Sequence, residues 1–302
     1  GLPVLDLEGL WTRHEDPEPL LRRIAEAPDA DARATLREAY AAPIRPELIA
    51  ARLTQLREAG VTVAGALSPQ NTQQHWKAVV DAGVDLFVIR GTTVSAEHVS
   101  STQEPLDLKQ FIYELDVPVI VGGAAGYTPA LHLMRTGAAG VLVGFGGGAS
   151  TTTRRAMGIR VPMATAISDI AEARRDYMDE SGGRYVHVIA DGGVSTSGEI
   201  VKAIAMGADA VVLGAALARA TDAPGGGWHW GLEAVHPELP RGHRTHVGQV
   251  APLEEVLWGP GRHADGTSNL MGGLKRAMAT CGYTELKDFQ KVEVLVTPTQ
   301  TV

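Results

Sequence analysis

The chain has 302 residues, 44% of them hydrophobic, enough to bury one large core. Acidic residues outnumber basic ones by 35 to 27, for a net charge of -8, and no Lys/Arg-rich stripe appears; both features argue against a nucleic-acid partner. Cys281 is the single cysteine, which excludes an intrachain disulfide and fits a reducing compartment such as the cytoplasm; no run of about 18 apolar residues is present to span a membrane.

Gly1 opens the chain without a Met, directly in the apolar run of Leu2, Pro3, Val4 and Leu5, read as strand 3–9. A longer encoded protein and a processed or cloned terminus account equally well for that start. Residues 11–58 exceed one crossover helix. Leu20, Leu21, Ile24, Ala32, Leu36 and Tyr40 predict a helical hairpin there, broken by Pro28 and Pro43, as an extra surface pair. One phrase then recurs: Asp81-Ala-Gly-Val-Asp-Leu-Phe-Val-Ile-Arg-Gly91, Thr136-Gly-Ala-Ala-Gly-Val-Leu-Val-Gly-Phe-Gly146 and Met206-Gly-Ala-Asp-Ala-Val-Val-Leu-Gly-Ala215. Each reads as a helix closed by a glycine in the left-handed C-cap conformation, followed by a strand apolar on both faces. Further strands are predicted at 62–68, 85–91, 117–123, 140–146, 185–191 and 209–216, with helices at 71–82, 105–115, 128–136, 163–180 and 196–206. Alternation of this kind means parallel strands covered by helices.

The fold expected is α/β, a (β/α)8 TIM barrel with seven strands in this chain and its first strand and helix placed ahead of Gly1. An open doubly wound sheet is the alternative; no strand here runs into a G-x-G-x-x-G turn. Residues 221–270 hold most of the late Pro, Gly, Trp and His without periodicity and read as a flap-like segment. Helices at 271–280 and 285–291 close the chain, so residues 1–302 read as one barrel domain.

Chemistry in such a fold lies at the C-terminal ends of the strands. Three loops qualify. Gly144-Phe-Gly-Gly-Gly-Ala-Ser-Thr-Thr-Thr-Arg-Arg155 is either an anion-binding nest or a flexible surface loop. Ala190-Asp-Gly-Gly-Val-Ser-Thr-Ser-Gly-Glu199 ends a strand on Asp191, with Ser195 or Thr196 capping a helix whose N-terminus is partially positive. Leu213-Gly-Ala-Ala216 ends the next strand. Together they favour a phosphate pocket over glycines placed only for packing. The ten histidines show no metal-ligand spacing, and Cys281 reads as a buried core thiol. Trp228, Trp230 and Trp258 read equally as base-stacking or subunit contacts.

Val188-Ile-Ala-Asp-Gly-Gly193, Ser197-Gly-Glu-Ile-Val-Lys-Ala-Ile-Ala205 and Gly207-Ala-Asp-Ala-Val-Val-Leu-Gly214, with Thr221-Asp-Ala-Pro-Gly225 and Gly272-Gly-Leu-Lys-Arg-Ala-Met278, resemble the IMP dehydrogenase/GMP reductase family. Within it they are most similar to the actinobacterial branch without the regulatory insert. The resemblance implies a tetrameric barrel, cytoplasmic, that moves hydride between a purine nucleoside monophosphate and NAD or NADP, with room for a monovalent cation. It implies a cysteine nucleophile in the first loop, at the position held here by Thr151, with Thr153 near the hydride-transfer site. Phosphate contacts are implied at Gly148 and Ala149, at Gly192 and Gly193, and at Gly214 and Ala215; serines are replaced by Ala149 and Ala215. Asp191 falls where the family holds the ribose hydroxyls. Arg90, Gly122 and Gly123 fall at the cofactor side, Arg90 in place of an Asp and the glycines in place of an Asn-containing turn. The family's flap Arg-Tyr pair has only Arg241 and Arg244 as nearby arginines. Two functions therefore stand: an oxidoreductase of purine nucleotide metabolism, or a catalytically inactive nucleotide-binding or regulatory paralogue.

Overall fold

The computed structural model describes residues 1–91, 94, 106–231 and 243–295. Seven strands form one parallel sheet in chain order: β1 (Val4–Asp6), β2 (Ala64–Leu67), β3 (Leu86–Arg90), β4 (Val119–Ala124), β5 (Gly140–Val143), β6 (His187–Asp191) and β7 (Ala210–Val212). The crossovers carry α4 (Pro69–Asp81), α5 (Leu108–Glu114), α6 (Tyr127–Arg135), α7 (Met163–Glu180) and α8 (Ser197–Ala205). Gly83, Gly137 and Gly207 end helices at φ +78°, +99° and +109°, the conformation that only glycine takes cheaply.

Alternation along each strand builds two apolar layers. Phe87, Ile89, Val119, Val121, Val141, Val143, Val188 and Ala190 face outward into the helices. Ala66, Val88, Ile120, Leu142, Ile189 and Val212 face inward and pack on one another. A sheet whose own inner face closes on itself is a barrel wall. Among the described residues β7 and β1 do not pair, so this is a (β/α)8-type barrel one strand short. No described helix is long and apolar enough to cross a membrane.

Residues 11–58 divide differently from the expectation. The prolines do break the segment, giving α1 (Glu18–Glu26), α2 (Asp29–Ala39) and α3 (Pro46–Glu58). However, Ile49 and Leu53 of α3 are fully buried in the main core, so α3 is a barrel helix. Only α1 and α2 are extra; they pack around Leu10, Leu21, Ile24, Leu36 and Tyr40 as a separate small core.

That small core leans on the segment expected to be an irregular flap. After α9 (Ala215–Ala218), strands β8 (Trp228–Trp230) and β9 (Arg244–His246) pair there as an antiparallel hairpin, followed by α10 (Leu253–Trp258). Helices α11 (Leu270–Thr280) and α12 (Leu286–Phe289) close the described chain. The Trp230 indole N–H donates to the Tyr40 hydroxyl at 2.9 Å. Arg244 is buried, lies 3.8 Å over the Trp228 ring, and donates to the carbonyls of Ile24, Ala25 and Ala27 and to the Asp29 carboxylate. Trp228 and Trp230 are thus spent on internal contacts. Arg244→Ala is expected to lower stability by about 2–3 kcal/mol, because it strands the last carbonyls of α1 without a donor. Urea unfolding reads the loss, and early tryptic cleavage at Arg33 or Arg37 would localise it to this pair.

Candidate functional site

Inward parity decides what reaches the barrel mouth. Arg90 lies two residues beyond Val88, and Asp191 two beyond Ile189, so both continue the inner face at the C-terminal ends of their strands. They meet across the mouth. Arg90 Nε donates to one Asp191 oxygen at 2.8 Å and Nη2 to the other at 3.1 Å, a two-pronged pair. β3 and β6 are three places apart in the sheet, so only its curl brings these side chains together. Asp191 is 12% exposed and Arg90 40%, which leaves the arginine accessible from outside.

The glycine loop after β5 packs directly on the turn after β6. A Cβ on Gly147 would stand 3.0 Å from the Gly192 carbonyl carbon, and one on Gly192 would stand 3.3 Å from the Gly148 nitrogen. Two backbones in contact require glycine on both sides, and this packing accounts for Gly147 and Gly192 independently of any ligand. It also brings Gly148, Gly192 and Gly193 to the rim beside Asp191. Ala149 is exposed on the same loop. Thr153, buried, starts a π-helical turn (Thr153–Met157), and its N–H donates to the Thr151 hydroxyl at 3.3 Å. Gly214 follows β7, with Ala215 opening the four-residue α9.

Two expectations about this rim are corrected. The α8 N-terminus is capped by Thr196 as anticipated, but the chain itself satisfies it. The Glu199 carboxylate accepts from the Ser195 and Thr196 N–H groups at 2.7 and 2.9 Å, Thr196 Oγ1 accepts from Glu199 N–H, and Ser197 N–H donates to Gly266 O. A terminus already holding a carboxylate offers little to a phosphate. Gly122 and Gly123 sit within β4 at a bulge rather than in a turn after it. Gly91 N–H donates to Gly122 O at 2.8 Å and Gly123 N–H donates to Gly91 O at 3.1 Å, and a Cβ on Gly122 would strike the Leu142 backbone. Cys281, expected in the core, is exposed because it lies just past the C-terminus of α11. Arg241 lies outside the described residues.

His229, which sequence reasoning passed over, also reaches the mouth. Trp228 and Trp230 turn toward α1 and α2, so the residue between them turns the other way. Its ring lies 3.6 Å from where a Gly214 Cβ would stand. Burial, and then the Arg90 charge, hold its pKa below the usual histidine range, so the ring is neutral at neutral pH. A depression of about 800 Å3 near Pro118, Gly137 and Arg184 lies at the opposite end of the barrel and holds none of these residues.

Comparison with known proteins gives a consistent set of likenesses. A sequence profile described as IMP dehydrogenase / GMP reductase domain matches residues 50–231. An uncharacterised oxidoreductase of Mycobacterium tuberculosis (strain ATCC 25618 / H37Rv) is 55% identical, over 98% of this chain and 81% of its own. An inosine-5'-monophosphate dehydrogenase of Methanocaldococcus jannaschii is 31% identical, over 80% of this chain and 52% of its own. The crystal structure of an IMP dehydrogenase/GMP reductase-like protein from Corynebacterium glutamicum superposes with a TM-score of 0.90 at 51% identity, over 98% of this chain and 79% of that one.

Proposed function

The chain belongs to the IMP dehydrogenase/GMP reductase family, and we propose that its barrel mouth binds a purine nucleoside monophosphate without the covalent chemistry of a cysteine nucleophile. The observation that carries this reading is the gathering of Asp191, the Gly192–Gly193 turn and Gly214 at one rim, in the positions that resemble the family's ribose and phosphate contacts. Asp191 would take the ribose hydroxyls, which requires Arg90 to turn off it. Thr151 stands where the resemblance places the sulfur. A free thiol ionises near 8.5, and an alcohol ionises far above that, so Thr151 is a poor nucleophile at neutral pH.

The residues assigned to a nicotinamide cofactor fit it poorly. Arg90 is paired with Asp191, while the Gly122 carbonyl and the Gly123 N–H are already bonded to Gly91. Redox turnover is the second reading, favoured by the name oxidoreductase carried by the 55%-identical relative.

One pair of measurements separates them. Calorimetry with IMP and GMP is expected to show binding, while the absorbance of reduced nicotinamide stays flat with IMP, XMP or GMP. Thr151→Cys is expected to stay inactive too, because the cofactor side is also altered. Sustained turnover by the unmodified protein would replace this reading with the second; turnover gained only in the variant would show that sulfur alone is lacking.

A further inference from the structure

His229 has a position that neither packing nor the family resemblance explains. It sits in the middle of β8, where Trp230 packs on the α1–α2 core and Trp228 lies under Arg244, which itself bonds α1. Its own ring is therefore delivered by a braced element and pressed toward Gly214 at the rim. No described residue hydrogen-bonds that ring. A half-buried imidazole without a partner among the described residues, beside a backbone turn and within the field of an arginine, is arranged to meet an anion. Ala149 and Ala215 carry only methyl groups, and the α8 N-terminus is closed by Glu199.

We propose that His229 is the phosphate-recognition residue of this mouth, donating a ring N–H to a phosphate monoester seated against Gly193 and Gly214. The assignment rests on the purine nucleotide reading above. A neutral imidazole supplies one N–H, and an approaching dianion favours its protonated form, which supplies two. Delivery from β8 also makes phosphate binding depend on the α1–α2 pair, which holds the hairpin in place through Arg244 and Tyr40.

The test is calorimetric titration of IMP into the intact protein and three variants. His229→Phe keeps the ring shape without a donor, and His229→Gln keeps a donor in a different shape. His229→Ala repeats the donor-free arm should the larger ring disturb the hairpin. Both donor-free variants are expected to bind IMP about tenfold or more weakly, with unchanged thermal unfolding, and His229→Gln to stay within about threefold of the unmodified protein. Equal affinity in all four proteins, or equal loss in His229→Gln and His229→Phe, would overturn the proposal while leaving the nucleotide site intact. Failure of the unmodified protein to bind IMP or GMP at all would overturn the underlying reading and this assignment with it.

Discussion

Replacing Asp209 with alanine is expected to lower stability by about 3–5 kcal/mol. Asp209 precedes β7 at the end of the barrel away from the mouth, and its side chain is only 8% exposed. It accepts from Arg174 of α7 at 2.7 Å, from Lys287 of α12, from the Tyr185 hydroxyl, from Gln290 and from the Val188 N–H. One carboxylate thus ties two helices to two strands. Removing it leaves the buried Arg174 guanidinium uncompensated. Burial alone would raise the Asp209 pKa, but the bonds from Lys287, Tyr185, Val188 and Gln290 outweigh it and hold the value at about 2. A depressed folded-state pKa stabilises above the ordinary carboxylate range and is lost as the pH falls. The contribution, about 2 kcal/mol, is therefore full above pH 3.8 and fades between there and pH 2. Chemical denaturation of the protein and of Asp209→Ala across that range is expected to show the two stabilities converging at low pH; parallel curves would contradict the assignment.

Asp191→Ala is expected to weaken purine nucleotide binding about a hundredfold, near 3 kcal/mol, because two ribose hydroxyls lose a charged acceptor. Arg90→Ala is expected to act in the opposite direction. Arg90 occupies both Asp191 oxygens, so a ribose bound as proposed above would have to displace it. Arg90 is partly solvated, and an ion pair in that setting is worth about 1 kcal/mol, so its removal should tighten binding about fivefold. Titration of both variants checks the pair of signs. Weakened binding in Arg90→Ala would mean that the arginine touches the ligand instead of competing with it.

The barrel was legible because its signals are local. Glycine after each helix and apolar residues on both strand faces specify a βα unit within about ten residues, and Gly83, Gly137 and Gly207 take the left-handed conformation that this reading requires. Assigning α3 to the insertion failed for a different reason. Ile49 and Leu53 look the same in sequence whether they face the main core or a smaller one; only packing separates the two. The candidate site was half legible. Asp191 at a strand end could be read directly, but its partner Arg90 is 101 residues away and reaches it through the curvature of the sheet, which no local pattern encodes. The closed N-terminus of α8 did have a signal: Thr196 followed three residues later by Glu199 is a capping box. His229 left only a faint trace, a polar residue alternating with two tryptophans in Trp228-His229-Trp230, too short for a strand to be recognised without its partner, β9.

Crystals grown with IMP at saturating concentration address the central claim most directly. The account predicts the ribose on Asp191, the phosphate between Gly193 and Gly214, and Arg90 turned away. A nucleotide bound elsewhere, or an empty mouth with Arg90 still paired to Asp191, would contradict it.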